Sequence, residues 1–574
     1  MYTLRPSRHY TEPVFIALLC FCTFFIYNDV FQPDQRESVC MVMAREMVAN
    51  HDWLHPTLNG ELCLYRSPLP PWITSLALLS GHDTLSMQRG MAALAATLLV
   101  FYFYAFAHRF LRMNAYLATL VFASSYHVVL AGRTISWEIF GYAFMMAAIF
   151  HLLRGLKAPP HKKRVLYKHY GLTGLWLGLS WLSNGSVPFY SLLLPFLLAW
   201  WAVMPRTWSV RRRPLCFLLI VALVVGGWWY AYHYWACSAV NPFREMVAAT
   251  IHGPFRHRPF IYYWNFFLET GIWCVFLLTS LFAPAVSGIR QWRRRRAARP
   301  CQPAGLNAFL EIFDKAYRLP VVWMLLILLL LSLMPDKTHR HLFPTLIPAA
   351  YIMGYQLQHW VEVFNRKDSR HMPERILYLI NSCLLTFVPA AIPFVVGWLL
   401  WRPHHIGWTT MAMVTFVCWG LVGFMVWNIR RWQVRRVVYA VAILFLSSEC
   451  FGMSVVNDLL MNTARRSVAT LNEQPGLAAL PCYHSRTDAL RMELVYNIGR
   501  PIRPIDTGSA DSLVAHAPCL LMLSRPIDEY MPPAELKALR LTPYGRFDDN
   551  RRPKGHSRYN PFLLPYIYKI DRQP

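Results

Sequence analysis

The chain has 574 residues, 55% of them hydrophobic and 15% charged, and its 57 Lys and Arg outweigh 30 Asp and Glu to give a formal net charge of +27. A mean hydropathy of +0.29 is too high for a soluble globule and marks a polytopic α-helical membrane protein. The basic balance does not make this a nucleic-acid-binding chain, because the arginines stand in short clusters between apolar runs of about 20 residues, the pattern of positive-inside loops.

The 13 cysteines include no CxxC pair, which argues against a zinc ribbon or dithiol redox motif. No P-loop, Rossmann glycine pattern, HExxH or GxSxG occurs, so nucleotide, zinc-protease and serine-hydrolase chemistry have no sequence support.

In chain order, Arg5 and Arg8 precede the apolar run Val14 to Phe31, where Phe25, Ile26 and Tyr27 occupy the place of a small-residue cleavage site. That predicts an uncleaved signal anchor with an inner N-terminus and an outer loop over residues 32–84. Within the loop, Val39, Val42, Met43 and Met47 recur at helical spacing, which predicts a short amphipathic helix lying in the membrane interface. Basic clusters at Arg154 to Arg164, Arg206 to Arg213, Arg293 to Arg296 and Arg430 to Arg436 then alternate with polar outer segments. Counted this way, about thirteen spans fill residues 1–460. Residues 461–574 lack a membrane-length apolar run and show strand-like stretches such as CLLML and YIYKI. They are expected to form a small outer-face α/β domain, in which a disulfide between Cys482 and Cys519 is one option.

Four polar clusters fall on the outer face. The first is the loop itself, with Asp34, Glu37 and Arg66. It reads either as a solvated connection with an anchor or as an active site, since carboxylates at the membrane surface can meet a lipid headgroup. The second, GRTISWEIF, carries Arg133 and Glu138, and Glu138 is either a helix cap or a functional acid at membrane depth. The third, NPFREMVAATIHGPFRHRPFIYYW, holds Glu245, His252, Arg258, Tyr262 and Tyr263. This is an interfacial aromatic belt or part of a substrate site. The fourth, LMPDKTHRHLFPTLIPAA, sets Lys337, His339, Arg340 and His341 at the mouth of two spans. Outer-face cations run against the positive-inside bias, and a lipid phosphate would account for them, Lys as a point charge and Arg as a planar fork.

The loop AREMVANHDWLHPTLNGELCLYRSPLPPW resembles the first outer loop of the polyprenyl-phosphate-dependent GT-C glycosyltransferases, the group containing aminoarabinose (lipid A) transferase and protein O-mannosyltransferases. Arg45-Glu46-Met47, Asp52-Trp53, Pro56, Leu58-Asn59-Gly60 and Arg66-Ser67-Pro68-Leu69 stand in the family's pattern. WLSNGSVPFYSLLLPF, RPFIYYW and DKTHRHLFPTLIPA are similar to further family segments. The family's acidic pair falls on Arg36-Glu37, unless a short shift brings Asp34 into register. Its loop lysine is Arg66, its LTKGP lysine is Asn184, and its RYLLP tyrosine is His341. Tyr65 replaces the acid that often precedes KPPL, which weakens any metal site drawn from the family.

What the resemblance implies is a multi-pass enzyme of the bacterial inner membrane, with its active site and C-terminal domain on the periplasmic side. It would move a sugar from a polyprenyl (undecaprenyl) phosphate to a lipid A, glycolipid or protein acceptor, with inversion. Asp34 or Glu37 would be the general base and Glu138 the second acid. Arg66, Lys337, Arg340 and His341 would bind the donor phosphate, and Arg133, Glu245, His252, Arg258, Tyr262 and Tyr263 would line the substrate site. The metal is unspecified, and a divalent ion bridging acid and phosphate is the cofactor option. The competing reading, a transporter or flippase for lipid-linked or anionic solutes, would call for internal repeats and mid-span charges. The sequence shows neither.

Overall fold

The computed structural model describes residues 11–81, 83–204, 211–236, 258–282, 314–334, 337–365, 372–402, 406–453, 461–537, 539–557 and 559–571. The chain divides into two compact units, one made of residues 1–26, 92–133 and 137–452, the other of residues 27–91, 134–136 and 453–574.

The first unit is helical. Among the described residues, seven helices are long and apolar enough to cross a membrane, or eight if the bent pair Ala115–Ala123 and Tyr126–Gly132 is one span. With no water in a bilayer core, each such segment has to satisfy its backbone polar groups internally, and uninterrupted Leu, Val and Phe runs do so as helix. Its interior is aromatic. Phe103 stacks between Phe122 and Tyr351, at centroid distances of 4.3 and 4.1 Å, and Trp323 packs on Phe196 at 4.9 Å. The helices Lys163–Asn184 and Arg212–Ala236 approach so closely that a Cβ on Gly178 would lie 2.7 Å from the Val225 Cβ. Small residues at this spacing are what let helix backbones meet in an apolar solvent.

The second unit is built on the helix Gln35–Asn50. Asp34 caps it, accepting from the Glu37 N–H at 2.9 Å, and this leaves Glu37 in the first turn. The expected amphipathic character is absent. Every residue from Glu37 to Ala44 is buried, as are Glu46 and Met47, because the helix packs against both Leu69–Leu79 and Met492–Ile498. It is therefore an enclosed helix, with neighbours on faces that an interfacial helix would give to headgroups and water.

After it come strands β1 (Thr57–Leu58) and β2 (Glu61–Leu62), an antiparallel hairpin turning at Asn59 and Gly60 with φ of 58° and 81°. An Asn-Gly pair suits this two-residue turn because both positions need positive φ. The Glu46 carboxylate holds the turn by accepting from Gly60 N–H and the Thr57 hydroxyl.

Residues 482–571 form a five-stranded sheet from β3 (Cys482–Ser485), β4 (Ile502–Ile505), β5 (Cys519–Leu523), β6 (Arg540–Arg546) and β7 (Tyr566–Asp571). The order is β4-β3-β5-β7-β6, parallel through β4, β3 and β5 and antiparallel thereafter. Tyr483, Cys519, Leu521 and Leu523 face one core with Leu513 and Ile570. Cys482 pairs in register with Leu520, which places it on the opposite face from Cys519. Both cysteines are free thiols, so the disulfide option is not realised here.

Two family-like motifs turn out to hold this unit together. Arg45 donates to the Tyr496 carbonyl at 2.6 Å, pairs with Asp83 at 3.1 Å and lies over the Tyr496 ring. The Asn59 amide clasps Ile502, donating to its carbonyl and accepting from its N–H, each at 2.7 Å. Gln35 accepts from the Met492 N–H and Gln32 from the Arg551 N–H, both at 2.8 Å.

Candidate active site

The second unit carries the first-loop acids. Asp34 is exposed at its cap position, whereas Glu37 is 2% exposed. The Glu37 carboxylate meets the enclosed Arg89 guanidinium through two bonds, Nε to Oε1 at 2.7 Å and Nη2 to Oε2 at 2.6 Å. It also accepts from the Ile135 N–H at 3.0 Å. Arg89 donates further to the carbonyls of Asn28 and Phe31 at 2.7 and 2.9 Å. A charge this deep is tolerated only with such complete pairing, and the pair fixes the entry to the helix on which Asp34 sits. Arg66 is exposed, its guanidinium 5.5 Å from the Tyr65 ring centre. It is close enough to counter the upward push that burial, and secondarily Glu37, give the Cys40 thiol.

The first unit carries a separate group. Glu269, from the helix Phe260–Trp273, stands between two imidazoles, 3.1 Å from Nδ1 of His127 and 3.1 Å from Nδ1 of His339. Its contact with His339 is a hydrogen bond. Nδ1 of His127 is at ion-pair distance without hydrogen-bond alignment. His339 also packs on Tyr262, centroids 5.3 Å apart, and Arg258 covers the Tyr262 ring at 4.4 Å. Lys337 is 4% exposed and donates to the carbonyls of Met334 at 2.7 Å and Arg258 at 3.1 Å. Among the described residues its charge thus meets dipoles and no carboxylate. Arg340 is exposed, His341 half-buried and Tyr263 buried.

Arg133 is buried and donates to the carbonyls of Thr23 and Ile26, at 2.7 and 3.1 Å, and pairs with Glu449. Glu138 lies half-buried in the first turn of Trp137–Leu156, within electrostatic reach of the Tyr142 hydroxyl along with Tyr263. Glu245 and His252 lie outside the described residues. Among the described residues, no group of three His, Cys, Asp or Glu is arranged to hold a metal ion.

The family model described as dolichyl-phosphate-mannose-protein mannosyltransferase matches residues 65–230. The crystal structure of ArnT from Cupriavidus metallidurans bound to undecaprenyl phosphate is similar over 98% of this chain and 99% of its own, with TM-score 0.61 and 14% identity. The fold is that of this ArnT structure. The apo structure of the same ArnT is similar over 98% of each chain, with TM-score 0.59 and 14% identity. No curated protein matches the chain. At this identity the similarity to the ArnT structures is a likeness of fold, and it agrees with the resemblance read from the sequence.

Within this fold, three polar residues were not singled out from the sequence. Arg89 had a signal, a guanidinium just inside an apolar run, and so did Glu269 in FFLETGIW. His127, in SSYHVVL, had none beyond its polarity.

Proposed function

We propose that this protein transfers a sugar from a polyprenyl-phosphate donor to a hydroxyl of a lipid A, glycolipid or protein acceptor. It would act on the periplasmic side of a bacterial inner membrane. The observation that carries this reading is the likeness over nearly the whole chain to an ArnT structure that holds undecaprenyl phosphate. About thirteen crossings fit the proposal if the bent pair, the shorter apolar helices Thr11–Phe24, Phe189–Val203 and Val434–Ser447, and the more polar Lys163–Asn184 and Leu346–Asn365, are spans as well.

In the reaction, the acceptor hydroxyl attacks the anomeric carbon, the bond from that carbon to the phosphate oxygen breaks, and polyprenyl phosphate departs with the electron pair. Asp34 takes the acceptor proton. Of the two first-loop acids it is the one whose carboxylate is exposed, while both oxygens of Glu37 already accept charged hydrogen bonds. A base of this kind contributes about 10²–10⁴-fold. Glu138 is the second acid. Arg66, Lys337, Arg340 and His341 bind the departing phosphate and stabilise its charge. Lys337 is suited to that role because the neutral carbonyls around it position the ammonium without cancelling it. Arg133, Glu245, His252, Arg258, Tyr262 and Tyr263 are assigned to the substrate site.

The test is incubation of the purified protein with labelled polyprenyl-phosphate sugars and an acceptor lipid extract. Transfer predicts free polyprenyl phosphate and labelled acceptor in equal amounts. Recovery of intact donor with every sugar tried would overturn the proposal.

A further inference from the structure

In the C-terminal sheet the chain leaves β3 for β4 on one side, then crosses to β5 on the other, all three strands being parallel. Where a parallel sheet reverses its direction of winding, the connections after two adjacent strands diverge and leave a crevice at their carboxyl ends. A cavity of about 270 Å³ occupies that place, lined by His484 of β3, Met522 of β5, and Asp488, Ser524, Arg525 and Phe562 from the loops beyond. From this geometry we infer that the crevice is a second ligand site, one that takes a single hydroxyl-bearing ring of sugar size. This site is separate from the proposed transfer reaction and does not depend on it.

The polar wall is pre-arranged. The Tyr530 hydroxyl lies 2.7 Å from both oxygens of Asp488, and the Ser524 N–H donates to one of them at 2.9 Å. Burial, together with the neighbouring carboxylate, pushes the Tyr530 phenol up, so it stays protonated as a donor. A carboxylate has about four lone-pair sites, so one held this way can still accept from a ligand. Nδ1 of His484, also in the lining, is buried and has no hydrogen-bond partner among the described residues. Burial also lowers the His484 pKa, keeping the ring neutral and able to act as donor or acceptor. A buried polar atom in that state is costly unless something pairs with it.

The lining also includes the apolar Leu494, Leu564 and Pro565. Phe562 stands at its rim 60% exposed, presenting a ring whose electron-rich face attracts partly positive C–H groups. A lining that offers both hydroxyl-binding and C–H-binding groups matches the two aspects of a pyranose ring. The volume lies just under the usual range for small-ligand pockets, which suits one ring and no more. An anion is disfavoured by Asp488, and a wholly apolar ligand would leave Asp488 and His484 buried without new partners.

The sugar could arrive free or as the headgroup of a glycolipid, and titration calorimetry of the full-length protein in detergent separates these. The probes are methyl glucoside, methyl N-acetylglucosaminide and a glucosamine-bearing glycolipid, each with inorganic phosphate as control. Saturable binding of a free glycoside assigns the site to free saccharide, and binding of the glycolipid alone assigns it to a headgroup; either supports the site only if the variants below weaken it. Asp488→Asn should weaken binding roughly 10–150-fold through loss of a charged acceptor. Phe562→Ala, at an exposed position that the fold does not depend on, should weaken it about 2–10-fold. Absence of saturable binding by all three sugars, competition by phosphate, or unchanged affinity in either variant overturns the inference.

Discussion

Two buried cations in the two units are treated very differently by their surroundings. Arg89 is wholly enclosed and fully matched, with a carboxylate taking two of its donors and carbonyls taking others. Lys337, nearly as buried, has among the described residues the carbonyls of Met334 and Arg258 and no carboxylate. Both count as one positive charge in the sequence. The contrast separates a charge that the fold consumes from one that it holds ready, because an opposite charge offsets the desolvation of a cation more fully than dipoles do. The first-loop acids differ in exposure: Glu37 is enclosed against Arg89, and Asp34 is exposed at the helix start.

The comparison breaks most readily at Arg89. Arg89→Ala leaves Glu37 buried without its partner and should lower stability by about 3–5 kcal/mol, read as a fall in thermal unfolding midpoint and folded yield in detergent. A midpoint within a degree of the unchanged protein would mean that the pair does not organise this unit. For Lys337→Ala the expected loss lies elsewhere, in affinity for a polyprenyl phosphate, by roughly 10–150-fold for about 1.5–3 kcal/mol of charged contact. If the variant loses folded yield but binds the lipid phosphate normally, Lys337 is a structural anchor and the contrast fails.

A smaller effect sharpens the account of the second unit. Asn59→Gly keeps the positive φ that the turn requires but removes both bonds to Ile502. The expected cost is about 1–3 kcal/mol for the two bonds together. Protease nicking between the first loop and the C-terminal residues, compared with the unchanged protein, would report it. Equal resistance would show that the clasp contributes nothing measurable.

What could be read in the sequence follows the range of each interaction. Helices such as Lys315–Leu333 and Met372–Val396 were legible because an apolar run in lipid has one good backbone solution. The Asn59-Gly60 turn was legible as part of the family's LNG, but its purpose was not, because its partner Ile502 is 443 positions away. The enclosure of Gln35–Asn50 was hidden for the same reason. Val39, Val42, Met43 and Met47 look like one apolar stripe until Met492–Ile498 covers what seemed the polar side. At the candidate site, Asp34, Glu37 and Lys337 were found by their charge in unexpected places. The His127–Glu269–His339 group escaped because its members come from three separate segments and only folding brings them within 3.1 Å.

The measurement that bears most directly on the central claim sets Asp34→Asn beside Glu37→Gln, each assayed for sugar transfer and for thermal unfolding. Asn can still cap the helix, so Asp34→Asn should retain the unfolding midpoint while turnover falls by about 10²–10⁴-fold. Glu37→Gln should lower the midpoint, because the Arg89 charge is left unbalanced. Full turnover in Asp34→Asn, with its fold intact, would contradict the assignment of the base and with it the division between consumed and available charge.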